Sequence, residues 1–394
     1  MKIKTFITLL VILAVLAVAG ILLVREQPPQ RGGVALGTQL LADLPVNEVA
    51  AIRIKGPEGD TVSLAKKEEQ WVVEDRYGYP ADFAKIADFV RSLQQMKVGR
   101  SFEASEDTLK RLKLRDPQGA DVPDDEKGIL VELKDEAGKS LAGVVIGKRR
   151  KTGQGASTQG QYIRLDQDPM VYLVDKDFAS YRREPADWLE KLLVNVEADA
   201  VRKVVCEGLD EEGVRYTVER PEEGSELVLL DPPPDKKIKK ASLGILARAL
   251  DTLRLDDVMD PEATLESLGI ELQARLEYRT FDGMIYRVFP GESNTDAERY
   301  YLRLEVDYQE PPKKVREAPA EESDTDKNEA EVEKRPEKTP EEMALEAKKM
   351  NERLSAWTYQ ISEWKHGDFI TELNEFFEEP EKKEGEKREE KEDN

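Results

Sequence analysis

One cysteine and one histidine in 394 residues remove much familiar active-site chemistry at the outset. With Cys206 alone, no intrachain disulfide can form. A zinc site needs several thiolate or imidazole ligands, and Cys206 and His366 stand far apart in the chain. Ser-His-Asp and Cys-His catalysis would both depend on His366, which lies in Trp364-Lys-His-Gly367 and reads as a surface or turn histidine. Cys206 belongs to the apolar run Val204-Val205-Cys206 and reads as a small buried residue rather than a reactive thiol. Positive charge is also short. Sixty Lys and Arg face 82 Asp and Glu, a net charge of −22, which repels phosphate backbones and argues against a nucleic-acid partner.

Other motifs fail on context. The run from Lys151 to Gly160 lacks the Gly-Lys-Ser/Thr ending of a phosphate-binding loop and precedes a strand pattern, so it reads as a hairpin tip. Asp121, Asp124, Asp125 and Glu126 lack the Gly-centred order of an EF-hand and read as solvated loop charge. Acidic residues are too numerous for any pair to stand out as glycosidase carboxylates. Trp71 and Trp188 fall on apolar faces, where core packing is the default. No catalytic, cofactor-binding or metal-ligating residue emerges, and the expectation is a non-catalytic protein without a cofactor.

What the chain does have is one long apolar run, FITLLVILAVLAVAGILLV, from Phe6 to Val24. As a helix it rises about 28 Å at roughly 1.5 Å per residue, close to the roughly 30 Å hydrocarbon core of a bilayer. Lys2 and Lys4 precede it, and Arg25 and Arg31 follow, diluted by Glu26. The positive-inside rule then places residues 1–5 in the cytoplasm and the body outside. Ala17-Val18-Ala19 offers the alternative of a cleaved signal peptide, but Ile21-Leu22-Leu23-Val24 carries the run beyond it. The reading is a single-pass anchor in the inner (cytoplasmic) membrane with a periplasmic, extracytoplasmic body.

Residues 25–43 read as a tether, with ordered pattern beginning near Leu44. Ile52 and Ile54, then Val62 and Leu64, then Trp71 and Val73 alternate around Gly/Pro turns, a β-meander. Asp82 is a candidate N-cap, and Ile86, Phe89, Val90, Leu93 and Met96 recur at helical spacing to about Val98. A short helix at 106–112 precedes strands at 129–133, 141–146, 162–165 and 171–174. Residues 178–194 read as a helix.

The same order of elements then begins again. Ile52 and Ile54 find equivalents in Val204 and Cys206, the helix 86–98 in 243–255, and Leu109–Leu114 in Leu265–Ile270. The fold class expected is α+β, two tandem similar domains of antiparallel β-meander plus helices behind one transmembrane helix. The first spans 44–194 and the second 195–309 with 343–377. Residues 310–342 have almost no large apolar side chain and read as a disordered insertion, and 378–394 as a charged tail. Leu354, Trp357, Ile361 and Trp364 read as docked on the second domain.

Val46-Asn47-Glu48-Val49 with Ile52-Arg-Ile54-Lys-Gly56, Trp71-Val72-Val73, Tyr79-Pro80-Ala81-Asp82 and Val145-Ile146-Gly147-Lys148 resemble the family called domain of unknown function 4340. Gly160-Gln-Tyr162-Ile-Arg164, Val171-Tyr172-Leu173-Val174, Leu354-Ser-Ala-Trp357 and Ile361-Ser-Glu-Trp364-Lys365 extend the resemblance over about 44–375 in two copies. These are strand and turn residues, and no functional residue carries over from them. The resemblance implies a membrane-anchored extracytoplasmic accessory protein. Its partners would be an ABC-type (ABC-2-like) transporter permease or a gliding-motility-like auxiliary subunit. An envelope scaffold or a ligand-binding module unrelated to transport is the alternative, and an enzyme is the least favoured class.

Overall fold

A computed structural model describes residues 35–151, 158–166, 168–181, 184–209, 213–293, 298–311 and 338–378. The apolar run 6–24, the hairpin tip 152–157, most of the expected insertion (312–337) and the tail from 379 lie outside the described residues. Among the described residues no helix is long and apolar enough to cross a membrane. The architecture is mostly antiparallel sheet with a few helices, an α+β arrangement. It divides into two compact units, one of Met1–Asp75 with Pro80–Trp188, the other of Arg76–Tyr79 with Leu189–Asn394.

The first sheet is built from β1 (Ala51–Lys55), β2 (Thr61–Lys67), β3 (Gln70–Val73), β4 (Tyr79–Pro80), β5 (Val98–Glu103), β6 (Ile129–Lys134), β7 (Ser140–Lys151), β8 (Thr158–Leu165) and β9 (Met170–Val174). Their spatial order is β4-β3-β2-β1-β6-β7-β8-β9-β5. Period-2 alternation sets which side chains go inside. Ile52 and Ile54 on β1 face Leu64 and Val62 on one side and Leu133 and Val131 on the other, and all six are buried. Helix α1 (Phe83–Gln95) lays Ile86, Phe89, Val90 and Leu93 inward. Burial of each such side chain is worth about 1.5–3 kcal/mol. Asp82 caps this helix, its side chain accepting from the Lys85 amide at 3.0 Å. Leu114, Leu130, Val145 and Val171 form a separate buried cluster under α2 (Glu106–Leu112), with Leu109 and Leu112 packed against it.

The second sheet uses β11 (Val201–Glu207), β12 (Val214–Glu219), β13 (Val228–Leu229), β15 (Asp257–Val258), β16 (Ile270–Leu272), β17 (Arg275–Thr280), β18 (Met284–Ser293), β19 (Tyr300–Tyr308) and β20 (Tyr359–Ile361). Its order is β13-β12-β11-β17-β18-β19-β20-β15, with β16 attached to β18. The strands β10 (Leu192–Val194) and β14 (Leu253–Arg254) make a separate two-stranded ribbon. Val204 faces Val218 and Tyr278, and Cys206 faces Tyr216 and Leu276, all buried. Helix α3 (Lys240–Ala247) buries Leu243, Leu246 and Ala247. Helix α4 (Pro340–Leu354) carries a Thr339–Glu342 capping box and buries Ala347 and Leu354. A one-turn helix α5 (Glu363–Gly367) follows β20.

Several expectations need correction. Order begins before Leu44, because the Thr38 carbonyl accepts from the Val98 amide at 2.9 Å and the Leu40 amide donates to the Met96 carbonyl at 3.1 Å. These bonds draw 96–98 into extended pairing, so α1 stops at Gln95 and Val98 opens a strand that the helical reading had covered. The described residues of 178–194 do not form the expected helix. Pro185 lacks an N–H and starts a single 3-10 turn, Pro185–Trp188, and Leu192–Val194 are extended. The spacing of Trp188, Leu189, Leu192 and Leu193 imitated a helical stripe. The helix expected at 243–255 is α3 instead, starting at Lys240 and ending at Ala247. The Leu250 carbonyl is taken by the Val196 amide, and Thr252 turns to a φ of 49°. The segment 340–342 is the first turn of α4 rather than part of a disordered stretch. Leu354 and Ile361 are buried, but Trp364 is 75% exposed. In so short a helix Lys365 and His366 occupy the inward side instead.

Three local features recur in both units. The closing 3-10 turn Pro185–Trp188 gives the Trp188 carbonyl to the Asp82 amide at 2.8 Å, and Leu373–Phe376 gives the Phe376 carbonyl to the Lys239 amide at 2.7 Å. Asp82 and Lys239 are the N-caps of α1 and α3. The Leu114 amide donates to the Leu109 carbonyl and the Ile270 amide to the Leu265 carbonyl, both at 2.9 Å. The residue before each, Lys113 or Gly269, is left-handed, with φ of 56° and 65°. This is the Schellman hydrogen-bond pattern. Finally, Gly147 lies against the segment 112–114, and Gly291 against 270–272, which pairs with β18 as β16. A Cβ on Gly147 would stand 2.5 Å from the Leu112 carbonyl oxygen, and one on Gly291 3.0 Å from that of Glu271.

Candidate functional site

Each unit holds a cavity beside the β-hairpin that opens its sheet. In the first unit it measures about 800 Å³ and is walled by Ile54, Phe89, Ile129, Val131 and Ile146, with Lys148, Arg149, Glu58 and Glu184 at its polar side. Arg149 is paired with Asp177 at 3.2 Å. In the second unit it measures about 740 Å³. Strand register gives Cys206 there the place that Ile54 has in the first sheet, and Tyr216 the place of Val62.

The second cavity differs in chemistry. Phe369, Ile370, Leu373 and Phe377 supply an apolar wall, and Arg215 and Lys236 stand at the mouth with Glu372. The Arg215 guanidinium donates to the Gln273 carbonyl at 3.4 Å, and the Lys236 ammonium sits 4.7 Å above the Phe377 ring. Glu372 accepts from the Asn374 amide at 3.2 Å. Tyr216 is buried, and its hydroxyl makes no hydrogen bond among the described residues, nor does the Gln273 side-chain oxygen. Burial raises the Tyr216 hydroxyl well above its ordinary pKa, and burial likewise pushes the Cys206 thiol up. Both are therefore neutral at physiological pH, so Cys206 is an inert thiol rather than a nucleophile.

His366 is not on the surface, being 1% exposed. Its imidazole meets the Gly291 carbonyl and stacks near Tyr300 at 4.9 Å, and Nε2 has no hydrogen-bond partner. Burial lowers its pKa, and the Glu292 carboxylate and the Gly291 carbonyl only partly oppose this. Beside it the buried Lys365 ammonium donates to the Arg248 carbonyl at 3.4 Å, the Asp251 carbonyl at 3.2 Å and Asp368 at 3.3 Å. That is a structural cap on the turn after α3.

The remaining sequence candidates are dispersed. Trp188 is fully buried against Phe89, with ring centroids 5.5 Å apart, and Trp71 is buried on β3. Asp124 pairs with Lys127 at 2.8 Å and Glu126 with Arg115 at 2.7 Å. Among the described residues no three carboxylate, imidazole or thiol groups converge as metal ligands would. On the face of the second sheet Glu277 lies under Arg275, Arg279 and Arg287. Burial would raise its pKa, but the Arg279 and Arg287 hydrogen bonds outweigh that and hold the carboxyl below its usual value. Arg215, Tyr216, Lys236 and Gln273 were not singled out from sequence. They come from separate strands and loops, and no local spacing marks them.

The fold and cavities define a protein of antiparallel sheet units, each with an open, partly apolar cleft. The family model described as Domain of unknown function (DUF4340) matches residues 71–273, and the chain belongs to this family. The match runs from β3 to just before β17 and so takes in parts of both units. No curated protein and no solved structure matches the chain.

Proposed function

We propose that the chain is a non-catalytic extracytoplasmic accessory subunit, held in the inner membrane by residues 6–24 and assembled with the membrane proteins of an ABC-type (ABC-2-like) transporter. The observation that carries this reading is the uninterrupted apolar run after Lys2 and Lys4, joined to a large acidic body. Membership of the family supports it. The two units are read as tandem copies of one α+β domain. The parallel strand orders, the paired closing turns and the paired glycines favour a duplication over coincidence.

The test is crosslinking in native membranes followed by affinity capture. A transporter permease or ATPase in the crosslinked product is the expected outcome, and capture of unrelated envelope proteins alone rejects the assignment. An alkaline phosphatase fusion after Asn394 should be active, and N-terminal sequencing should recover residues ahead of Ala19. The second reading, a ligand-binding module unrelated to transport, is favoured by one observation, the cavity of about 740 Å³ with buried unpartnered polar groups.

A further inference from the structure

In a chain with a net charge of −22, Arg215 and Lys236 converge on one cavity mouth, and neither forms an ion pair among the described residues. Cations in so acidic a protein find carboxylates easily. Arg275, Arg279 and Arg287 all share Glu277, a few strands away. Arg215 and Lys236, without an ion pair among the described residues, outnumber the one carboxylate that lines the recess with them, Glu372, and so mark a place where negative charge is welcome.

A second, independent observation points the same way. The Tyr216 hydroxyl is almost wholly buried on the cavity wall and has no hydrogen bond. Its one neighbour there is the Cys206 thiol, a weak sulfur partner at most. A buried hydroxyl left unsatisfied costs about 1–3 kcal/mol, which a ligand acceptor would relieve. Because the hydroxyl keeps its proton at neutral pH, it can donate to an acceptor such as a carboxylate.

We propose that this cavity binds a small amphipathic anion, a monocarboxylate on an aryl or short alkyl body. The head lies between Arg215, Lys236 and the Tyr216 hydroxyl, and the body packs on Phe369 and Phe377. A volume of about 740 Å³ suits a ligand of this size. The site is independent of any transporter partner.

The full chain in lipid nanodiscs is titrated with 4-phenylbutyrate, with empty nanodiscs as the blank, and binding is followed by calorimetry. Saturable binding is expected. The neutral amide, 4-phenylbutyramide, should bind about tenfold more weakly, the loss of one charge-assisted contact. Arg215→Met and Lys236→Met should each weaken 4-phenylbutyrate about five- to tenfold while leaving the thermal unfolding midpoint of the ligand-free chain unchanged, which reports that the cavity still folds. Equal affinity for acid and amide, no binding of either, or full affinity in both variants overturns the proposal.

Discussion

The two units run nearly the same strand order and treat the same positions differently. In the first sheet Ile54 and Val62 meet across the opening hairpin, and in the second Cys206 and Tyr216 meet there. The carbonyl of Gly147 is satisfied by the Gln161 side chain at 2.8 Å, whereas the carbonyl of Gly291 is satisfied by the imidazole of His366. Each unit closes by giving a 3-10 turn carbonyl to a helix N-cap, once from Trp188 and once from Phe376. What persists is backbone: hydrogen bonds, a left-handed cap, a glycine with no room for a side chain. What varies is side-chain chemistry, and it varies most around the cavities. Shared architecture and distinct cavity chemistry are then properties of different atoms.

The largest expected effect falls on the closing turns. Trp188 and Phe376 are both fully buried. Trp188→Ala and Phe376→Ala should each cost about 3–5 kcal/mol. Hydrogen exchange should report lost protection on α1 for the first variant and on α3 for the second. A loss under about 1 kcal/mol at either site would mean that the turn does not hold its helix, and the comparison would fail there.

The glycines should sharpen the comparison by differing. A methyl on Gly147 meets the Leu112 carbonyl oxygen at 2.5 Å and the Leu114 side chain at 2.8 Å, and backbone cannot easily retreat. Gly147→Ala is expected to cost about 1–3 kcal/mol in urea unfolding. At Gly291 the nearest approaches are 3.0–3.1 Å, two of the three to side-chain tips. Gly291→Ala should cost less than about 1 kcal/mol, within reach of side-chain adjustment. Equal costs would mean that 112–114 and 270–272 approach their glycines equally closely, and would contradict the distances.

Much of this architecture was legible because strands write themselves with period 2. Ile52, Ile54, Val62, Leu64, Val204 and Cys206 all lie on the buried faces that their alternation assigned them. The closing segments misled for the opposite reason. Trp188, Leu189 and Leu193 are buried by contacts made far along the chain, and their spacing mimics a helix that Pro185 would interrupt midway and that the pairing of Leu192–Val194 with β14 replaces. His366 was illegible because only the fold brings Gly291 and Tyr300 to it. The cavity residues Arg215, Lys236 and Gln273 share no sequence pattern at all, since the site exists only once β12 and the segment around Phe369 meet.

Capping offers a smaller and signed test. Asp82 accepts from the Lys85 amide, whereas Lys239 makes no side-chain cap for α3. Asp82→Ala should cost about 1 kcal/mol, and Lys239→Asp should stabilise α3 by about 0.5–1 kcal/mol through the missing cap and the helix dipole. Thermal unfolding followed by helix-specific hydrogen exchange checks both signs. If Lys239→Asp destabilises, α3 is not the positional equivalent of α1 that its backbone bond to Phe376 suggests.

The smallest expected effect is a pH dependence carried by one unit alone. His366 replaces by imidazole what Gln161 does by amide, and only imidazole titrates. Burial lowers its pKa below the ordinary 6.5, although Glu292 at 3.9 Å and the Gly291 carbonyl favour the charged form. The Tyr300 ring faces it, and Lys365 and Asp368 flank it as a bonded pair. The folded state therefore binds fewer protons than the unfolded state in this window. Stability is fully present above pH 6.5 and falls as the pH drops from there towards the lower folded-state pKa, levelling below it. Protonation would also add a second buried N–H at Nε2, which has nothing to donate to. His366→Gln keeps a donor for the Gly291 carbonyl and removes the titration. Urea midpoints read by hydrogen exchange on β18 between pH 5 and 7 should slope in the parent chain and flatten in the variant. The equivalent β7 amides should show no change between the two chains. A slope that survives His366→Gln would assign the acid sensitivity to another group, and the contrast between imidazole and amide would lose its meaning.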